Sequence, residues 1–374
     1  MTVMKRRSFL KKSALGLAAI STMPMCNFIP SKPDKDKLGV ALVGLGNYST
    51  SILAPALQET QHCYLAGIVT GTPEKEGIWI DRYQIPESNV YNYDNFDEIA
   101  DNKDIDIVYV VLPNGMHAEY TIRALKAGKH VTCEKPMANN YADAVSMVEA
   151  AKKANRRLSI GYRLHYDPFN LELMRLGQKQ VYGPITKTDA AFGFPLRNKE
   201  HWRLDKTLAG GGPLMDVGIY TLQGTIYTMG QLPKSVKAED RTKDKAYYGD
   251  VEGSIAWEFG FESGVKSTMY TTYEDPYIDY LRATTAKREF GLKPCFAYGG
   301  QSSIENDGLF DFQRVNQQAL QMDAYAMNLM ENTPCLVPGE MGARDMFIID
   351  RIYESMETGK EVSLAGVPEI LHLV

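Results

Sequence analysis

The sequence predicts an α/β chain in which a parallel, doubly wound sheet is followed by an α+β domain carrying a large, mostly antiparallel, open-faced sheet. Three observations predict it. At 374 residues the chain is long for a single core, so two domains are expected. Short β-branched runs alternate with helical stretches as far as Gly161, the pattern of right-handed βαβ units. Beyond Gly161 the runs alternate polar and apolar residues and are joined by short connections, which suits antiparallel order.

The chain opens with Lys5-Arg6-Arg7-Ser8-Phe9-Leu10-Lys11-Lys12 and the apolar run Ala14 to Ile20. A twin-arginine n-region with a short h-region reads as a bacterial Tat export signal, so residues 1–30 are taken as leader and a periplasmic destination is expected. Cys26 follows Met23-Pro24-Met25, a poor lipoprotein box, so no lipid anchor is expected. Asn27 to Lys37, with Pro30 and Pro33, reads as an extended arm. The leader holds five basic and no acidic side chains; the 41 Lys and Arg less those five, against 46 Asp and Glu, leave the rest at −10. That balance argues against a nucleic-acid partner.

Residues 31–161 form the first domain in this reading. Leu38 to Val43 is a strand running into Gly44-Leu45-Gly46-Asn47-Tyr48-Ser49, with helical spacing from about Ser51 to Gln58. This is a G-x-G-x-x-S form of the dinucleotide fingerprint: Gly44 allows the tight turn, and Gly46 lets a pyrophosphate approach the backbone at a helix N-terminus. The next strand, Tyr64 to Val69, should end in an Asp or Glu if the cofactor were NAD. It ends instead in Thr70-Gly71-Thr72-Pro73-Glu74-Lys75, whose hydroxyls and Lys75 suit a ribose 2′-phosphate. NADP is therefore favoured, with NAD as the alternative. A buried strand, Ile107 to Leu112, ends at Pro113-Asn114 and is followed by a helix over Met116 to Ala127. The strand Lys129 to Cys133 then stops at Glu134-Lys135-Pro136, because Pro136 cannot continue a ladder. Lys135 is thereby delivered to the carboxyl edge of the sheet, where open α/β sheets bind ligands. A helix over Tyr141 to Ala154 and a strand over Leu158 to Gly161 complete a Rossmann domain.

Residues 162–374 form the second domain. Strands are expected at Ile185 to Phe194, Ser235 to Ala238, Val251 to Phe259 and Val265 to Thr272, with helices over about Asn316 to Asn332 and Gly342 to Thr358. Between the first two strands lies Gly210-Gly211-Gly212-Pro213-Leu214-Met215-Asp216-Val217-Gly218-Ile219-Tyr220. Pro213 suits the first turn of a helix. Asp216 and Tyr220, at i and i+4, would share a face, a carboxylate beside a phenol able to hold or pass a proton. Cys63, Cys133, Cys295 and Cys335 make no C-x-x-C pair and have no His at metal spacing, so neither a metal nor a disulfide is demanded.

These motifs, with Gly161-Tyr162-Arg163-Leu164-His165-Tyr166-Asp167-Pro168 and Trp202-Arg203-Leu204, resemble in their order the Gfo/Idh/MocA oxidoreductases, most closely the glucose–fructose oxidoreductase branch. The resemblance runs from about Leu38 to Glu357. It implies an NAD(P)-dependent enzyme acting on sugar CH–OH groups, with Lys135, Asp216 and Tyr220 at the hydride-transfer centre. It further implies cofactor contacts from Gly44, Leu45, Gly46, Asn47, Tyr48, Ser49, Thr70, Gly71, Thr72, Lys75, Tyr93, Leu112, Asn114, Glu134, Lys135, Arg163, Trp202, Arg203 and Tyr298. A homodimer or homotetramer formed on the open sheet face is implied as well. Phe192 to Glu200 and the loops around Tyr273 to Gly300 depart from the branch's pattern, so the sugar stays open. The alternatives are an NAD-dependent glycosidase working by transient oxidation, and a non-catalytic sugar- or nucleotide-binding protein of the same fold.

Overall fold

A computed structural model describes residues 35–305, 308 and 310–372. The expected leader and most of the arm lie outside the described residues.

Six parallel strands form the first sheet: β1 (Leu38–Val43), β2 (Cys63–Val69), β3 (Val90–Tyr91), β4 (Ile107–Val110), β5 (His130–Cys133) and β6 (Leu158–Ile160). Their order is β3-β2-β1-β4-β5-β6, which places the topological switch point between β1 and β4. The crossover helices are α1 (Pro73–Tyr83), α2 (His117–Lys126) and α3 (Tyr141–Ala154). Local rules start them: Pro73 stands in the first turn of α1, and the Asn140 side chain caps α3 by accepting from the Asp143 N–H.

The second sheet comprises β7 (Ile185–Gly193), β8 (Ser235–Asp240), β9 (Ser254–Gly260), β10 (Lys266–Thr272), β11 (Ile278–Thr285), β12 (Glu289–Leu292) and β13 (Val362–Ser363), in the order β12-β11-β7-β10-β9-β8-β13. Every pair is antiparallel except β7 with β10, which run parallel. Alternating burial along β9 and β11 shows one covered face and one half-exposed face. The covering helix, α5 (Ile219–Met229), is buried along its whole length. Sequence reading left out α4 (Pro168–Gln178), although Asp167 caps it and Pro168 opens it. It also left out β11 and β12.

Two late helices, α6 (Gln317–Met330) and α7 (Gly339–Thr358), return the chain to the first domain. Tyr325 and Leu329 of α6 pack with Leu38, Leu42 and Tyr109 on one side of the first sheet. The other side continues without a break into the core of the second domain.

Candidate active site

The fingerprint turn follows β1 directly. Gly44 adopts φ 90°, and a Cβ there would stand 2.5 Å from the Val111 carbonyl oxygen, so only glycine fits. A Cβ on Gly46 would meet no atom within 4 Å. The backbone is therefore open on the side from which a pyrophosphate would approach, and the turn fits a dinucleotide. Ser49, standing where the fingerprint has its third glycine, is buried and donates to the Gly44 carbonyl at 2.6 Å. Lys75 Nζ donates to the Leu45 carbonyl at 2.8 Å, which draws the first turn of α1 to the fingerprint. Thr70 Oγ1 accepts from the Thr72 N–H, and Gly71 is backed by the Tyr93 ring. Tyr48 stacks on Tyr298 with ring centroids 6.2 Å apart, Asn47 accepts from Ser51, and Leu112 lies against Gly44.

Lys135 stands at the end of β5. Its ammonium donates to the Asp216 carbonyl at 2.6 Å and to Asp216 Oδ1 at 3.4 Å, and lies 5.0 Å from the centre of the Tyr220 ring. Asp216 sits in a turn of π-helix, Leu214–Gly218, that leads into α5, a local widening of the kind often found at functional sites. Its carboxylate also accepts from Arg203 Nε at 2.7 Å and from the Tyr273 hydroxyl at 2.9 Å. Burial alone would raise the Asp216 carboxyl, but Arg203 and Lys135 together hold it well below the usual carboxylate range. The paired geometry expected for Asp216 and Tyr220 therefore takes a different form. The two meet at Lys135, one through its oxygens and the other through its ring face. The carboxylate's hydrogen bonds go to Lys135, Arg203 and Tyr273.

Glu134 is buried; it accepts from the Tyr109 hydroxyl at 2.7 Å and from the Lys135 N–H at 3.2 Å, and burial pushes its carboxyl up. His117 bridges the carbonyls of Leu112 and Pro136, 2.8 Å from each, bracing the ends of β4 and β5. Asn114 is buried with its amide given to the Ala209 carbonyl. That bond holds the segment bearing Trp202 and Arg203 against the first domain. The Arg203 guanidinium lies over the Trp202 ring at 4.7 Å. Arg163 is buried behind the cleft, donating to the Phe296 carbonyl and Gln317 and lying over Tyr220 and Tyr298 at 5.0 and 4.3 Å. A cavity of about 20 Å³ behind Lys135 and Tyr220, lined also by Tyr162, His165 and Gln223, has room for roughly one water and none for a sugar ring. Sequence reasoning missed Tyr109 and His117, which flank the predicted Leu112 and Asn114, and Tyr273, which joins the site from a distant stretch with no motif of its own.

A dinucleotide turn on a parallel sheet, with a lysine at its carboxyl edge between a carboxylate and a phenol, defines a nicotinamide-dependent oxidoreductase. Residues 38–162 match the model for an oxidoreductase family with an NAD-binding Rossmann fold, and residues 171–285 match the GFO/IDH/MocA C-terminal domain. The chain belongs to the Gfo/Idh/MocA oxidoreductase family. It is 37% identical to an aldose-aldose oxidoreductase from Caulobacter crescentus, crystallised with glycerol, with TM-score 0.84 over 88% of this chain and all of that one. A D-xylose 1-dehydrogenase [NADP(+)] of Haloarcula marismortui is 25% identical over 334 residues, 87% of this chain and 92% of the relative. A levoglucosan dehydrogenase solved with NADH, 18% identical with TM-score 0.70 over 89% of this chain and all of that one, shares the fold.

Proposed function

We propose that this protein is an NADP-dependent sugar oxidoreductase that passes hydride between an aldose or ketose and the nicotinamide, in the manner of glucose–fructose oxidoreductase. The observation that carries the reading is Lys135, held at the carboxyl edge by Asp216 and set beside Tyr220. Relatives named for aldoses and for NADP(+) support the substrate class and the cofactor. Thr70, Thr72 and Lys75, where an acidic residue would favour NAD, support NADP.

Nicotinamide, when bound, supplies the hydride acceptor or donor. The chain's own residues handle the oxygen and its proton. Lys135 binds the reacting hydroxyl oxygen, and Tyr220 takes the hydroxyl proton as the phenolate on oxidation and returns it as the phenol on reduction. Asp216, itself fixed by Arg203 and Tyr273, orients the Lys135 ammonium. With a cofactor that stays bound, one sugar is oxidised and a second reduced. The twin-arginine leader supports export to the periplasm, and the half-exposed face of β9 and β11 supports pairing as a homodimer or homotetramer.

The test is near-ultraviolet absorbance of the purified protein before and after adding an aldose and then a ketose. A reduced-nicotinamide band that rises with one sugar and falls with the other is expected. Bound nucleotide silent to every sugar tried would overturn the sugar assignment.

A further inference from the structure

Helix α6 brings three glutamines to the cleft from the far end of the chain. Gln317, Gln318 and Gln321 are all buried, at 2%, 5% and 2% exposure. Each is committed to a residue of the nucleotide cleft. Gln317 Oε1 accepts from Arg163, Gln318 Nε2 donates to the Tyr48 hydroxyl at 3.3 Å, and Gln321 Nε2 donates to the Tyr109 hydroxyl at 3.2 Å. The third contact continues inward, because Tyr109 in turn donates to Glu134 Oε1 at 2.7 Å while Glu134 Oε2 accepts from the Lys135 N–H.

This arrangement is costly unless it serves something. A buried amide must find partners for both its ends, and an apolar residue at these three helix positions would pack against the first sheet as Tyr325 and Leu329 do. Donor direction also fixes the order of the chain. The Gln321 amide can only donate through Nε2, so the Tyr109 hydroxyl accepts from it and turns its own proton to Glu134. That leaves the Glu134 carboxylate with one oxygen held by Tyr109 and the other by the backbone of Lys135.

We propose that Gln321, acting through Tyr109, and Gln318, acting through Tyr48, are positioning residues that set the reacting end of the nucleotide cleft and so govern how firmly the dinucleotide is held there. The inference rests on the cofactor reading of the fingerprint turn and not on the identity of the sugar. Glu134 adjoins Lys135, whereas Thr72 and Lys75 follow β2, the position from which the fingerprint contacts the adenosine ribose. Loss of the α6 contacts therefore weakens the nicotinamide end and spares the adenosine end.

The experiment measures dissociation constants for NADP⁺ and for adenosine 2′,5′-bisphosphate, which lacks the nicotinamide half, by fluorescence titration of the full chain. Gln321→Met and Gln318→Met keep side-chain volume and helix propensity. Tyr109→Phe removes the hydroxyl that joins α6 to Glu134. The exposed Leu320→Ala, at 42% exposure on the same helix, is the control. The expected result is NADP⁺ binding weaker by about fivefold for each glutamine variant and about tenfold or more for Tyr109→Phe. Bisphosphate binding stays within twofold and Leu320→Ala is silent. Because the readout is binding, it separates from the sugar assignment, which falls or stands on turnover. Equal loss for both ligands means general loosening of the domain and overturns the proposal, as does unchanged NADP⁺ binding in folded Gln321→Met and Gln318→Met. A wild-type chain that binds neither ligand removes the cofactor reading beneath it and overturns it too.

Discussion

Two buried aspartates of this chain face arginines, and their carboxyls shift in opposite directions. Asp345, on α7, accepts from Arg344 Nε at 2.8 Å and from the Tyr162 hydroxyl at 2.6 Å, with Gln223 donating as well. Burial raises its carboxyl, and the single cation Arg344 offsets only part of that. Asp216 is raised by burial too, yet Arg203 and Lys135 together hold it far down. The difference lies in the number of cations. One arginine and one aspartate cancel and form a structural tie, while two cations around Asp216 leave a surplus positive charge beside the cleft. A substrate oxygen carrying partial negative charge is drawn to that surplus.

The largest effect expected on the structural side comes from Arg344→Met. It leaves Asp345 buried without its cation, and stability measured by urea unfolding falls by about 3–5 kcal/mol. The folded fraction keeps its nucleotide affinity. Asp216→Asn sharpens the contrast from the other side. It removes the charge that orients Lys135, and kcat/KM for the sugar falls about 10- to 100-fold. Its stability loss is smaller than that of Arg344→Met, because Lys135 and Arg203 are partly exposed and regain water. If Asp216→Asn proved the more destabilising of the two, the structural and functional roles would be assigned the wrong way round.

A further effect is in the pH dependence. His372 and His130 are partly buried and neutral, with pKa values brought down to about 4 and about 3, in each case chiefly by loss of solvent around the ring. Unfolded histidine titrates near 6.5, so between the two values the unfolded chain binds the extra proton and stability falls as pH falls. The loss begins near pH 6.5 and runs at about 1.4 kcal/mol per pH unit for each ring. Asp216 works in the same direction but only later. Its lowered pKa contributes stability that is complete above the unfolded carboxylate value and lost as pH falls below about 3.9. Urea midpoints taken from pH 7 to pH 4 should therefore decline well before carboxylates protonate. A flat profile down to pH 5 would contradict the burial of these imidazoles.

The first domain was legible because its signals are local. The turn at Gly44, the stop at Pro136 and the helix over Tyr141–Ala154 each rest on signals within a few residues, and the structure places all three where the sequence puts them. The second sheet was legible only in part. β11 and β12 lie in a stretch whose apolar–polar alternation is weak, with Asp279 on the covered face and Lys287, Arg288 and Glu289 in a row, and the parallel pairing of β7 with β10 depends on the helix inserted between them. Lys135, Asp216 and Tyr220 could be named as candidates since each lies in a motif, and the structure brings them together. Tyr273 and the glutamines of α6 could not, since their partners lie 57 to 270 residues away along the chain.

Loading the protein with NADP⁺ and mixing it with excess aldose, in the wild type and in Lys135→Ala, addresses the central claim most directly. A reduced-nicotinamide band should grow in the wild type. It should grow about 10³-fold more slowly in the variant, with nucleotide still bound. Equal rates in the two would contradict the assignment of Lys135 and the mechanism built on it.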